Sequence, residues 1–493
     1  MAAPSSFGRE GEKAKLAYEA KLLKGFSRFE PRKLGQALVI GCSMVMVTFF
    51  LMLGPSVIPF NKFEGIMNGE TRDGDPAFNQ TYDLCQQKGD LSSEGHVINH
   101  LLCTRNVTEE ADMKPVCDFS DMRSDICELK GNIRIRGNSS TILSEISTSQ
   151  REQSWTIKPH PRKGDLTALQ HVTEMSVKLS SNKEELPSCS INHTIPAIFF
   201  SAGGYMGNIF HDFTDILIPL FITSTSFRTE VQFLISNVQP WWLAKYKPYL
   251  QQLSKYEVIN FNKIENVHCY PHVIVGLRKH KEMSIDPSRA PNSYSMVDFS
   301  QIMKKSYGLE RQVAIKLRDN QAKKPRLLII ARKFTRSFMN IDEIVRMAED
   351  LGYEAVVAEA KVSSNLVRFS HIVNSCDVIM GVHGAGLTNL VFLPINSVVI
   401  QIVPLGALEN IAWIDFGRPA FEMKLRYLQY VISEEESTLI EQFDRDGPVF
   451  KDPGSIHRQG WLALRKIYLD HQNVRLDVNR FKSVLIQAIQ FLH

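Results

Sequence analysis

The sequence predicts an α/β protein of two Rossmann-like domains facing a cleft, preceded by a single transmembrane helix and a stem. Three observations carry that expectation. Apolar runs of strand length alternate with stretches of helical period from Trp155 onward, and again from Arg326 onward. A glycine turn, Val382 to Asn389 (VHGAGLTN), follows a run that reads as a buried strand, and open α/β sheets bind ligands at the carboxyl ends of their strands. An uncharged apolar run of about 20 residues near the amino terminus would span roughly 30 Å as a helix, the thickness of a bilayer core.

Taken in order, residues 1–33 carry eight Lys/Arg against four Glu, and no charge follows 34–53 closely. That asymmetry predicts a cytosolic tail, an anchor at 34–53 and a lumenal remainder. Gly54-Pro55-Ser56 makes a poor cleavage site, so the anchor is expected to stay uncleaved. A span this short suits a thin early-secretory membrane. Sequons at Asn79, Asn106, Asn138 and Asn192, and seven of the eight cysteines, fall on the lumenal side. Seven is odd, so one thiol is free, and Cys376, leading into a buried strand, is the expected one. Residues 54–150, with Cys85, Cys103, Cys117 and Cys127 and few periodic runs, read as a glycosylated stem. With 44% apolar and 22% charged residues the composition is ordinary, and a net charge of +4 argues against a nucleic-acid partner.

The first domain, 151–320, is expected to hold strands at 195–200, 231–235, 256–261 and 271–277 and helices at 208–224 and 241–253, then a polar, linker-like stretch from 286 to about 324 with one helical segment. In the second, 321–460, strands are expected at 326–331, 354–358, 377–382 and 398–403, all parallel. A helix should start at Asn340 with a capping box to Glu343 and stop at Gly352, and another should cover 364–375. The segment 461–493 contains a last helix, 478–492, expected to pack back on the first domain.

Two constellations carry chemistry. Gly384 and Gly386, with Ala385 and Leu387 between and after them, would let the backbone approach a phosphate; Thr388 and Asn389 can cap or hydrogen-bond, and His383 can meet negative charge. Arg332, Lys333 and Arg336, with Thr335 and Ser337, lie in a loop at the end of the 326–331 strand, and guanidinium groups suit a diphosphate. Elsewhere, the turn Gly203-Gly204-Tyr205-Met206-Gly207-Asn208 leads into a helix on which His211 and Asp215 share a face. There a carboxylate can orient an imidazole, or the pair can share removal of a proton, while Asp212 points elsewhere.

Three segments in this order, GGYMGNIFHDFTD (203–215), RLLIIARKFTRSFMN (326–340) and MGVHGAGLTNLVFLP (380–394), resemble glycosyltransferase family 61, in particular its grass xylan arabinosyltransferases. The resemblance runs from about Cys117 to the carboxyl terminus and includes CDFSDMRSDICEL, WTIKPHPRK and HCYPHVIVGLRKHKEMSID. It implies a glycosyltransferase fold of the GT-B type, an inverting mechanism, a UDP-sugar donor, a xylan acceptor and a single-pass type II protein of the Golgi membrane. By position, Arg332 and Arg336 would bind the donor diphosphate and His383 to Asn389 would form the phosphate and nucleotide turn. His211 or Asp215 would be the base, with Tyr205, Asn208 and Trp241 on the acceptor side. Trp242, Tyr246 and Trp413 are further aromatics that could stack on sugar faces. No cofactor or metal is expected: the D-x-D pairs Asp73/Asp75 and Asp444/Asp446 lack the strand context that metal-dependent sugar-nucleotide enzymes of another fold use. The expected activity is α-1,3 transfer of arabinofuranose to xylan. A β-1,2-xylosyl transfer from UDP-xylose to xylan or an N-glycan, and a non-catalytic Golgi scaffold subunit of a synthase complex, are the alternatives.

Overall fold

The computed structural model describes residues 116–493 except 148–149, 319–322 and 361–364. The tail, the anchor, Asp73/Asp75, Cys85, Cys103 and the sequons at Asn79 and Asn106 lie outside the described residues. Among the described residues no helix is long and apolar enough to cross a membrane.

Two sheets organise the chain. The first has strand order β4-β5-β3-β2-β10-β7-β8-β9, from Gln153–Ile157 (β4), Met175–Ser180 (β5), Thr141–Glu145 (β3), Ile126–Arg136 (β2), Val267–Val275 (β10), Ala197–Ser201 (β7), Gln232–Ser236 (β8) and Ile259–Asn260 (β9). Short strands Cys117–Asp118 (β1) and Ile191–Asn192 (β6) pair with β2 and β10. The run β10-β7-β8-β9 is parallel, and β2 joins it antiparallel. The second sheet is wholly parallel: Glu354–Glu359 (β12), Arg326–Ala331 (β11), Val378–Val382 (β13), Val398–Val403 (β14) and Arg426–Val431 (β15), in the order β12-β11-β13-β14-β15.

The second sheet's order reverses between β11 and β13. Chain leaving these two neighbours turns to opposite faces, which opens a crevice at their carboxyl ends, the switch point of a doubly wound sheet. The loops that begin at Arg332 and at His383 leave β11 and β13 at that crevice. One continuous apolar cluster joins the sheets: Phe213 from the first half meets Phe392 from the second edge to face, with ring centroids 6.2 Å apart. The helix Met296–Ser306, inside the expected linker, reinforces that junction, since Ser300 Oγ donates to the Val391 carbonyl at 2.8 Å.

Several expectations change. The stretch read as stem supplies β1, β2 and β3, whose inward residues Leu129, Ile133, Ile135 and Ile142 are buried; charges on the outward face and Gly131-Asn132 mask the period in the sequence. Disulfides join Cys117 to Cys127 and Cys189 to Cys269, and Cys376 is a buried free thiol, as expected. The capping box at Asn340 does not form as expected: Asn340 Nδ2 donates to the Glu343 side chain at 2.9 Å, but no side chain caps a backbone amide. The Asn340 side chain exchanges two hydrogen bonds with the Leu476 backbone, at 2.8 and 3.0 Å, which fasten residues near the chain's end to this helix. The last helix, Val478–Gln490, packs on the second sheet rather than the first domain. Its stripe of Phe481, Leu485 and Ala488 meets Leu327, Val378 and Tyr430, and Tyr353 Oη donates to the Leu485 carbonyl at 2.8 Å. Strand β15 was not anticipated, because RYLQYV alternates polar and apolar residues while the other strands of its sheet read as apolar runs.

Candidate active site

Beyond β11 the chain turns sharply, and Arg336 takes a left-handed conformation with φ 54°. Its amide donates to the Gln472 carbonyl at 2.7 Å and its Nη1 to the His383 carbonyl at 2.9 Å, so the two crevice loops are tied together. Arg332 Nε donates to Thr335 O at 2.8 Å. Both guanidinium heads rest on Gly384, whose φ is +146°: a Cβ there would lie 2.8 Å from Arg336 Nη1 and 3.1 Å from Arg332 Nη1. Among the described residues no carboxylate comes within ion-pair distance of either, and Arg336 Nε is buried without a partner. Burial, then the neighbouring Arg332, brings Arg336 down to about 9, and burial lowers Arg332 as well. Asp470, ion-paired with Arg465, opposes both shifts without pairing with Arg332 or Arg336, so two desolvated like charges lie side by side with no carboxylate in contact, a setting that suits a phosphate. Gly384→Ala is therefore expected to weaken UDP binding at least tenfold, about 1.4 kcal/mol, measured by calorimetry.

The rest of the glycine turn works from behind. A Cβ on Gly386 would meet Ile330 Cγ2 at 3.0 Å, so this glycine lets the turn lie against β11. Leu387, Thr388 and Asn389 are fully buried, and Asn389 Nδ2 donates back to Gly386 O at 2.8 Å. Thr388 Oγ1 and Asn389 Oδ1 are buried with no hydrogen-bond partner among the described residues, and of residues 383–389 Ala385 alone is partly exposed. His383 also departs from expectation. Burial, followed by Arg336 and Arg332, pushes it down to about 3, so it is neutral and meets no anion as a cation. Gln401 Nε2 donates to His383 Nδ1 at 2.8 Å, while Gln401 Oε1 lies 2.8 Å from Tyr427 Oη, a hydroxyl that also lies 2.9 Å from Gln429 Oε1. The ring hydrogen of His383 is thereby placed on Nε2.

On the first sheet's side, exposed Asn208 caps the helix, its Oδ1 accepting from Phe210 N at 3.1 Å. Helical turns run through Ile209–His211, a π-helical stretch Asp212–Leu217, and Ile218–Ser224. His211 Nδ1 lies 2.9 Å from Asp215 Oδ2. Asp215, 1% exposed, also accepts from Lys279 Nζ at 2.8 Å and Arg162 Nη1 at 3.2 Å through Oδ1. Burial by itself would raise this carboxyl, but Lys279, His211 and Arg162 outweigh it and hold it far below the carboxylate range. A group so held does not take up a proton, which leaves the His211 imidazole as the member of the pair open to one. Glu282 completes the cluster, accepting from Lys279 Nζ at 3.0 Å and Thr214 Oγ1 at 2.8 Å. Tyr205 packs its ring 4.5 Å from that of His211 and donates through Oη to Asp165.

Asp212 does point away, accepting from Gly207 N at 3.0 Å, Trp242 Nε1 at 2.9 Å and Tyr246 Oη at 2.8 Å. It pins the glycine turn to the helix Pro240–Leu253, and it makes Trp242 and Tyr246 buried core instead of sugar platforms. Trp241 is exposed on that helix and shares no ring contact or hydrogen bond with the His211 cluster among the described residues. Asn192 is exposed in β6, Asn138 lies in the turn Gly137–Ser139, and Asp444 and Asp446 sit in an exposed turn. Among the described residues no three His, Cys, Asp or Glu are grouped to hold a metal ion.

Phe416 links the two clusters, packing 5.6 Å from the Phe210 ring and 5.7 Å from the His383 ring and bringing the His211 helix beside the glycine turn. Arg162, Lys279 and Glu282 were missed by local patterns, although the first stands in WTIKPHPRK and the others in HCYPHVIVGLRKHKEMSID, segments that carried the family resemblance. Asp415, next to Phe416, had no such signal.

Two cations without a contacting carboxylate, and an imidazole hydrogen-bonded to a carboxylate, are the residue types that the two halves of glycosyl transfer call for: a phosphate leaving group to be held and a hydroxyl proton to be taken. Fold and site thus define a glycosyltransferase. Residues 209–400 match the family model Glycosyltransferase 61. The chain is 49% identical over 427 residues to the α-1,3-arabinosyltransferase XAT2 of Oryza sativa subsp. japonica, covering 86% of this chain and 71% of that one. Against the rice α-1,3-arabinosyltransferase XAT3 it is 50% identical over 381 residues, 77% of this chain and 66% of the relative. The rice β-1,2-xylosyltransferase XYXT1 is 46% identical over 393 residues, 76% and 84% of the two chains. The chain belongs to glycosyltransferase family 61.

Proposed function

We propose that this protein is an inverting pentosyltransferase of GT-B arrangement that transfers arabinofuranose from UDP-arabinofuranose, in α-1,3 linkage, to xylan. The observation that carries the reading is the unpaired Arg332/Arg336 couple on Gly384 beside the His211–Asp215 pair. Similarity at 49 and 50% to two chains named α-1,3-arabinosyltransferases supports the choice of sugar and linkage. In this reading the diphosphate lies on Arg332 and Arg336. Tyr205 offers its ring to the acceptor sugar, and the acceptor hydroxyl meets His211 Nε2. The imidazole takes the hydroxyl proton as the oxygen attacks the anomeric carbon from the face opposite UDP. The bond from that carbon to the β-phosphate oxygen breaks, and UDP leaves with the electron pair, its charge met by the two arginines. Asp215 stabilises the imidazolium so formed.

The anchor at 34–53, the lumenal sequons and the disulfides belong to the same reading, which places the catalytic part in the Golgi lumen. Similarity to XYXT1 favours β-1,2-xylosyl transfer from UDP-xylose as the second reading. Product analysis decides between them. The full chain is given UDP-arabinofuranose and UDP-xylose in parallel with xylo-oligosaccharides, with and without EDTA. Arabinosyl product that persists in EDTA is the expected result; xylosyl product alone selects the second reading, and product lost in EDTA and restored by Mn²⁺ would assign the diphosphate to a metal.

A further inference from the structure

Asp415 is the carboxylate that the mechanism above leaves idle. It sits in the π-helical turn Trp413–Gly417, beside Phe416, which holds that turn between the His211 helix and the His383 ring. The other acids of the site are satisfied: Asp215 accepts from two cations and a histidine, Asp212 from three donors and Glu282 from two. Among the described residues Asp415 accepts no hydrogen bond, although only 21% of its side chain is exposed. Its Oδ2 lies 4.0 Å from His383 Nε2, too far for a hydrogen bond. Since Nε2 carries the ring hydrogen, a donor and an acceptor face each other across a gap. An oxygen about 2.8 Å from both atoms fits there, and a hydroxyl is the group that accepts from one side while donating to the other.

Building on the donor-binding reading, we propose that His383 and Asp415 together grip one hydroxyl of the donor pentose, His383 Nε2–H donating to its oxygen and Asp415 Oδ2 accepting its hydrogen. The donor, not the acceptor, is the occupant because the carbonyl of His383 is held by Arg336 Nη1 at 2.9 Å, which puts the grip one residue from Gly384 and the diphosphate couple. Burial, then Glu282, raises Asp415 to about 7, the behaviour of a carboxyl that lacks donors until a ligand arrives. Such a contact is the kind that separates sugars differing in one hydroxyl, because the analogue without it leaves buried polar groups unpaired.

The test is calorimetric titration of the detergent-solubilised full chain, wild type and Asp415→Ala, with UDP, UDP-arabinofuranose, UDP-xylose and deoxy analogues of the preferred donor. The expected result is that Asp415→Ala leaves UDP affinity within about twofold but weakens the preferred UDP-pentose at least tenfold. One deoxy analogue should bind wild type and variant alike, while the others still lose affinity in the variant. Equal loss for UDP and UDP-pentose, or no loss for either, would overturn the grip while keeping the donor reading. Wild type that binds no UDP would overturn both. Asp415→Leu, of similar size and without an acceptor, serves if Asp415→Ala fails to fold, and must show the same split between UDP and UDP-pentose.

Discussion

Asp215→Ala abolishes transfer and destabilises the fold by about 3–5 kcal/mol, the cost of leaving buried cations without their counter-charge, whereas His211→Ala cuts turnover about 10²–10⁴-fold with the fold retained. The difference follows from burial and partners. Asp215 is 1% exposed and neutralises Lys279, itself 3% exposed, and Arg162. His211 is more open, 18% of its side chain being exposed, and spends one ring nitrogen on Asp215. Asp215→Asn keeps the shape but not the charge, so it should behave like Asp215→Ala in urea denaturation. The pH dependence has a definite sign. The folded carboxyl is held below its unfolded value, so the stabilisation it supplies is present above about pH 4 and is lost as pH falls below that. Wild-type turnover in Asp215→Asn, or wild-type stability in Asp215→Ala, would dismantle the cluster as described.

The second large effect concerns Arg336. Arg336→Ala is expected to raise the donor KM about a hundredfold and to remove the rise in melting temperature that UDP confers. In the absence of UDP, its melting temperature should stay at or above that of wild type. The reasoning rests on the unmet charge: burial and Arg332 hold Arg336 down at about 9, so at pH 7 the ligand-free protein bears a cation it does not favour. Removing a group that costs stability until a phosphate arrives separates binding from folding, as strain kept at a functional site does. A variant that melts lower without UDP and still gains from UDP would reassign Arg336 to a structural role. Since His383 is neutral down to about 3, no limb of the pH–activity profile between pH 5 and 9 should belong to it.

The legible parts of this chain were those in which burial writes a continuous pattern. Strands β11 and β14 fall at 326–331 and 398–403, as read, because strands covered on both faces are uninterrupted apolar runs. The turn at Gly384 and the cations at Arg332 and Arg336 were legible as residue types at strand ends, and strand order then explains why they meet: β11 and β13 are neighbours at the point where the sheet reverses. The half-exposed strands β2 and β15 were not legible, since their outward residues dilute the period.

The sequence by itself determined the α/β class, the anion-binding residue types, the four-residue spacing of His211 and Asp215, and, through three ordered segments, the family. Tertiary structure alone decided which of these groups act. Asp215 is held ionised because Arg162 and Lys279 reach it from 53 and 64 residues away. His383 becomes a neutral donor because Gln401 and two buried arginines surround it. Thr388 and Asn389 are buried, and packing of Phe416 goes with an Asp415 Oδ2 that lies 4.0 Å from His383 Nε2. Local periodicity records which face of an element is buried; a proton affinity or a hydrogen-bond direction depends on neighbours that only the folded chain brings within a few ångströms.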